Sequence, residues 1–298
     1  MKVLITGKDG QVGKDLIKSV PKGIELFSFG RHELDIGSQE SVLKKVQEIS
    51  PDYVINAAAY TAVDKAETEQ ENAFKVNTIG ASYLANAARE ISARLIHLST
   101  DFVFDGTKST PYKPDDPVAP LSVYGKTKAE GEKLVINQYA ANSIILRTSW
   151  VYSVTGRNFV KTMLNLMKES NELRVVVDQV GSPTWSKGLA LTIWAMVTNN
   201  IHAGIYHWSD AGVTSWYDFA VAIYEEARAI NLVERQISFI PIPTSKYPTP
   251  AKRPYYSVLD CSETNKIWSV QSEHWRTALR KMLIEYQKLI KLTDELIK

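Results

Sequence analysis

Apolar and polar residues run along the first half of the chain in short blocks of two alternating kinds. Residues 2–6 form a β-branched run, and residues 24–29, 53–56, 94–98 and 143–146 repeat that character. Between them lie stretches of helical spacing at 14–19, 41–49 and 77–90, the second with Val42, Val46 and Ile49 on one face. Strands alternating with helices predict right-handed crossovers, and so an α/β fold with a doubly wound, Rossmann-like parallel sheet.

Past residue 150 the alternation weakens. A helix is predicted over 160–168, with Asn158 as its cap. A strand over 174–177 leads into a substrate loop around residues 179–184, and a strand over 204–208 returns to the main sheet. A helix over 214–230 carries Trp216, Tyr217, Phe219 and Tyr224, which read as packing residues. Residues 240–254 hold five of the 12 prolines and read as an ordered loop. An amphipathic helix over 275–297 ends the chain. The expectation is a dinucleotide domain over 1–150, joined by the returning strand, and a smaller α/β substrate domain over 151–298, interleaved with it.

Composition narrows the function classes. The 298 residues are 44% hydrophobic and 23% charged, as in ordinary soluble domains. A net charge of +2 gives no case for nucleic acid or a membrane surface. No apolar run approaches the roughly 18 residues of a membrane span. The opening MKVLITG passes straight into a strand, so no usual signal peptide is expected. The single cysteine, Cys261, excludes an internal disulfide and fits a reducing, cytoplasmic setting.

Gly7, Gly10 and Gly13 follow the first strand and precede the first helix. Glycines there let backbone approach a phosphate, and a helix N-terminus favours negative charge. The residues after the second strand choose between dinucleotides. Here they are Gly30-Arg31-His32; Arg31 suits a 2′-phosphate, which favours NADPH with NADH left open. Asp35 and Ile36 lie where the chain could border an adenine. Ser99-Thr100-Asp101 follows the fourth strand, so its hydroxyls face the same crevice. Tyr124 and Lys128 are four residues apart, on one face if helical. An ammonium beside a phenol lowers its pKa, which makes the pair a device for moving a proton to or from a carbonyl or alcohol oxygen.

The order of these motifs resembles the extended short-chain dehydrogenase/reductases. Segments GKDGQVG (7–13), NAAAYTAVDKAE (56–67), HLSTDFVFDG (97–106), PLSVYGKTKAEGE (120–132), RTSWVY (147–152), GSPTW (181–185) and YPTPAKRP (247–254) resemble the dTDP-4-dehydrorhamnose reductases within them, over nearly the whole chain. The resemblance implies reduction of the 4-keto group of dTDP-4-dehydro-L-rhamnose by NAD(P)H. It implies Tyr124 as proton donor, Lys128 as its partner and holder of the nicotinamide ribose, and Thr100 and Asp101 at the substrate oxygen. Gly10, Gln11 and Val12 would line the pyrophosphate, and Ala59, Tyr60 and Thr61 the nicotinamide half. Trp150 would touch the sugar, with core packing as its rival, and Asn158 and Arg253 would approach the nucleotide diphosphate. Dehydratases of the superfamily carry Thr-Asp-Glu after the fourth strand. Phe102 stands at that third place and cannot move a proton, which argues against dehydration. Some relatives dimerise through Mg2+ held by acids. The corresponding positions here are Asp15, Lys187 and Glu285, and the lysine argues against a metal. The chain is expected to be a monomer or homodimer. The alternatives are a reductase of another 4-keto nucleotide sugar, or a non-catalytic subunit like the regulatory subunit of methionine adenosyltransferase.

Overall fold

The computed structural model describes residues 1–268 and 272–297. Along the chain, β1 (Lys2–Thr6), α1 (Gln11–Lys18), β2 (Glu25–Phe29), α2 (Gln39–Ile49) and β3 (Tyr53–Asn56) come first. Two short helices, α3 (Val63–Ala66) and α4 (Gln70–Phe74), run through a π turn at Lys75–Ile79 into α5 (Gly80–Glu90). Then come β4 (Arg94–Thr100), α6 (Val123–Tyr139), β5 (Ser143–Thr148), β6 (Val151–Tyr152), α7 (Phe159–Glu169) and β7 (Glu172–Val176). The remainder is β8 (Val180–Gly181), β9 (Thr184–Trp185), α8 (Ser186–Thr198), β10 (Gly204–His207), β11 (Thr214–Ser215), α9 (Trp216–Ala229), β12 (Ser238–Ile242), α10 (Ser262–Trp268) and α11 (Trp275–Ile297).

The six-stranded sheet has the order β10-β5-β4-β3-β1-β2, with every pairing parallel. Strands buried on both faces need continuous apolar runs, and β1 and β3 supply them with Val3, Leu4, Ile5, Val54 and Ile55, all fully buried. One face is covered by α2, α5 and α6 through Val42, Val46, Leu84, Ala88 and Val135. The other is covered by α1 and α8 through Leu16, Leu189, Ile193 and Trp194. A third core lies outside the sheet, where α7, α9 and α11 meet β6, β7 and β9 through Met163, Met167, Trp185, Phe219 and Leu279.

The strand order reverses between β1 and β3, and such a switch point opens a crevice at the strands' carboxyl ends. There lie the glycine segment, Ala57 to Thr61 and Ser99 to Asp101.

Several local expectations are corrected. Strands β4 and β5 run on to Thr100 and Thr148, because ladder pairing (Thr100 to Thr148) outweighs their polar side chains. The 240–254 segment begins as strand rather than loop. Its first residues belong to β12, which pairs with β7 in a two-stranded sheet, where Pro241 has an open edge. The helix expected from Thr214 starts at Trp216, after Thr214 and Ser215 pair with β8.

Candidate active site

The glycine segment is shaped by close backbone passage. Gly7 has φ +77°, and a Cβ there would sit 2.7 Å from Ala57 backbone. A Cβ on Gly13 would lie 2.2 Å from the Gly7 carbonyl oxygen. The turn therefore folds flat against the start of α1 and the end of β3. The cap of α1 is Gly10, which offers no side chain to the first-turn amides. Those N–H groups are the ones a helix needs satisfied by water or an anion. This cradle fits a dinucleotide pyrophosphate.

Two hollows flank it. A hollow of about 240 Å3 is lined by Gly7, Gly10, Arg31, Asp35, Ile36, Ala59 and Tyr60, together with Asp9, Leu34 and Val76. A larger cleft of about 550 Å3 is lined by Gly10, Gln11, Val12, Ala59, Thr61, Thr100, Asp101, Tyr124, Lys128 and Trp150. The structure thus brings most of the sequence-derived residues to two connected spaces. Gly13 lines neither and serves the close helix-to-turn contact. Arg253 also lines neither; its guanidinium pairs with Asp64 at 2.8 Å. Asn158 caps α7 by accepting from Lys161 N–H at 3.1 Å. Its amide donates to Gln11 Oε1 at 2.9 Å and the Ser153 carbonyl at 2.8 Å, so it ties α7 to the glycine turn.

Tyr124 stands in the first turn of α6, capped by Ser122. Gly125 permits this helix to press on the loop after β4: a Cβ there would lie 2.2 Å from the Phe102 carbonyl oxygen. Phe102 meets the Tyr124 ring edge to face, centroids 5.7 Å apart. Thr100 donates to Asp101 Oδ1 at 3.0 Å and accepts from the Phe102 N–H at 3.2 Å.

Burial pushes the Tyr124 phenol up to about 12; a Thr100 hydrogen bond opposes this and the Asp101 charge adds to it. This corrects the expectation that Lys128 holds that pKa down. Lys128 Nζ is turned to the Leu98 carbonyl at 2.6 Å and lies 3.3 Å from His97 Nε2. Burial brings its own pKa down to about 8. Asp101 is pushed up to about 6 by burial, against hydrogen bonds from Ser257 and Thr100.

Two buried polar atoms of residues lining the cleft have no partner, Ser99 Oγ and Thr148 Oγ1. Unpartnered buried oxygens are costly and call for a ligand or water. Together with the cradle, they make a space built for a polar molecule beside Tyr124.

Sequence reasoning missed several members. Trp216, read as packing, lines the cleft and stacks on Trp150 with centroids 3.5 Å apart and planes 7° apart. Trp150 has φ +46°, a strained value for a bulky residue. Asn77 holds the Tyr60 backbone through its N–H (2.8 Å) and carbonyl (3.1 Å), and donates to Thr127 on α6 at 3.1 Å. It lies in the π turn, a feature frequent at functional sites. Only its place in a helix was visible in the sequence.

The profile of the RmlD substrate binding domain family matches residues 1–288. The chain belongs to that family. It is 43% identical over 288 residues to a dTDP-4-dehydrorhamnose reductase of Aggregatibacter actinomycetemcomitans, covering 94% of this chain and 98% of that one. The crystal structure of a dTDP-4-dehydrorhamnose reductase from Clostridium acetobutylicum superposes with a TM-score of 0.90 at 40% identity, over 96% and 100% of the two chains. One from Bacillus anthracis, solved in complex with NADP, gives 0.90 at 36% identity, over 95% and 99%. The matched residues span both the sheet and the outlying core.

Among the described residues no group of three or more His, Cys, Asp or Glu side chains is placed to hold a metal. At the positions considered for Mg2+, Lys187 pairs with Glu285 at 2.9 Å, and Asp15 accepts from the hydroxyls of Ser153 and Ser186. No helix among them is long and apolar enough to cross a membrane.

Proposed function

We propose that this chain reduces the 4-keto group of dTDP-4-dehydro-L-rhamnose with a nicotinamide cofactor to give dTDP-L-rhamnose. The carrying observation is the cleft lined together by Thr100, Asp101, Tyr124, Lys128 and the glycine turn. Relatives of about 40% identity bearing that reductase's name support the choice of substrate.

When bound, the cofactor supplies hydride. The chain's residues do the rest. The amides at the start of α1 hold the pyrophosphate, and Ala59 and Thr61 border the nicotinamide half. Thr100 and Tyr124 grip the ketone oxygen. Tyr124, whose proton burial keeps in place, gives it to the oxygen as negative charge develops there. Phe102 fills the place of a dehydratase's acid and packs on Tyr124, so no group stands ready to remove water.

NADPH is the proposed preference. Arg31 lines the smaller hollow, where a planar fork suits a 2′-phosphate. Of the nearby acids, Glu33 is taken by Lys8 and the Gly30 N–H, and Asp35 accepts from the Gly37 N–H. Arg31→Ala is expected to weaken NADPH binding about 10- to 100-fold, the worth of a charged hydrogen bond, and to leave NADH nearly unchanged. Equal losses for both would remove Arg31 from this role.

The test of the function is NADPH oxidation with dTDP-4-dehydro-L-rhamnose, the product identified by NMR. Formation of dTDP-L-rhamnose is expected. No oxidation with this sugar, and turnover of another 4-keto nucleotide sugar, would reassign the substrate.

A further inference from the structure

A chain of buried polar side chains runs under the site from β1 to α6. Thr6 Oγ1 donates to Asn56 Oδ1 at 2.7 Å, and the Ala58 N–H donates to the same oxygen at 3.2 Å. Asn56 Nδ2 lies 2.9 Å from His97 Nδ1, and His97 Nε2 lies 3.3 Å from Lys128 Nζ. His97 is 1% exposed, Asn56 1% and Lys128 2%.

A backbone N–H only donates, so the Asn56 atom facing Ala58 is the oxygen. Asn56 therefore presents its NH2 group to His97, and Nδ1 of that ring must accept. A neutral imidazole carries one proton, and the bond made at one nitrogen sets its place. It lies on Nε2, facing Lys128. Burial and the Lys128 charge both hold His97 far below its ordinary pKa, so the ring stays neutral. An N–H thus points at Lys128 Nζ. The amine form of the lysine can accept that bond; the ammonium cannot.

We propose that His97 is a positioning residue for Lys128: fixed by Asn56 as the Nε2–H tautomer, it favours the amine form and makes the lysine a ready proton donor. The inference rests on the reductase reading above. After Tyr124 has given its proton to the substrate oxygen, a phenolate remains. The Lys128 ammonium, which lines the same cleft, passes one proton to it through water there. The amine left behind accepts from His97 Nε2–H, and water in the cleft later restores the lost proton. The groups facing Lys128 allow this. On its own helix Glu132, paired with Arg147 of β5, favours the ammonium and opposes burial and His97. Asp101 follows β4, and Asp9 and Arg157 also line the cleft. At the start of α6, Asp64 is paired with Arg253 and Glu67 accepts from the Val123 N–H. The π turn offers Asn77 and Thr78, which do not titrate.

Nitrogen-15 NMR of the histidine-labelled full chain tests the tautomer without any need for activity. The His97 signals are assigned by their loss in His97→Gln. The expected result is a protonated Nε2 and a bare Nδ1 from about pH 6 to 9, with Nε2 shifting as Lys128 titrates. A proton on Nδ1, or on both nitrogens, would overturn the proposal. Asn56→Asp then places an oxygen opposite Nδ1. The proton is expected to move to Nδ1, and the alkaline limb of kcat to rise by about one pH unit, a tenfold change in proton affinity. A moved limb with the tautomer unchanged would mean that the new charge acts alone, against the proposal. So would a swapped tautomer with the limb unmoved. Failure of the reductase reading would be seen separately, as absent wild-type turnover.

Discussion

Tyr124 is a phenol whose surroundings keep its proton on, and that suits a donor better than a base. Its surroundings come from Phe102 against its ring and Asp101 beside it. Tyr124→Phe is expected to retain NADPH binding and lose about 10²- to 10⁴-fold in kcat, the usual worth of a positioned acid. Fluorescence titration and steady-state rates check the two halves; wild-type turnover would remove Tyr124 from the chemistry. Trp216 is the residue-scale surprise. Its stack on Trp150 supports a backbone conformation that costs about 1–3 kcal/mol to hold. Trp216→Ala is expected to raise KM for the sugar nucleotide about 3- to 10-fold, in line with an aromatic pair's 0.5–1.5 kcal/mol, with kcat little changed. The same variant should lose the exciton couplet that stacked indoles give in circular dichroism.

At the scale of elements, what matters is how α6 is set against β4 and β5. Gly125 lets the helix start touch the loop after β4, and the buried Glu132–Arg147 pair locks its middle to β5 through bonds of 2.7 to 3.2 Å. Gly125→Ala must displace backbone. It is expected to lower both stability and kcat, the latter about 10²-fold, since misplacement near 1 Å costs that much. Arg147→Met leaves Glu132 buried and unpaired, and is expected to cost about 3–5 kcal/mol in urea unfolding. An unchanged midpoint would show that the pair is dispensable. These elements were largely legible in the sequence. The parallel sheet followed from apolar runs and the glycine turn, and the Tyr124–Lys128 pair from its spacing. The ends of β4 and β5 were not legible, because Thr100 and Thr148 look like loop until a neighbouring strand pairs with them. Trp216 and Asn77 were not legible either. A tryptophan at a helix start and an asparagine inside a helix signal packing as readily as a site, and only the fold shows which cavity they meet. The pairing of Arg253 with Asp64, nearly 190 residues away, had no signal in the sequence.

For the whole molecule, buried ionisable groups set the pH dependence of stability. His207 is pushed down to about 3, chiefly by burial, and His97 lies far below its ordinary value. Below an unfolded pKa of about 6.5 the unfolded chain takes up protons that these rings refuse, so they cost stability as pH falls. Burial raises Asp210 to about 7 and Asp101 to about 6. The folded chain takes up those protons first, so between about pH 7 and 4 they add stability as pH falls. The opposed pairs predict a nearly level unfolding free energy over that range. Below about pH 4 the aspartates add nothing further, and stability drops as the histidines and the depressed carboxylates Asp64 and Glu226 lose ground. Asp210→Asn removes one opposing proton, so stability should decline from about pH 6.5 by about 1.4 kcal/mol per unit. A variant profile as level as the wild type's would contradict this balance. The most direct test of the central claim is deuterium transfer: NADPH labelled with deuterium at the transferable position of its nicotinamide is supplied with dTDP-4-dehydro-L-rhamnose, and the product is read by NMR. The expected product is dTDP-L-rhamnose carrying deuterium at C4; cofactor oxidation with no deuterium in the sugar, or with deuterium at another carbon, would contradict hydride delivery to the 4-keto carbon.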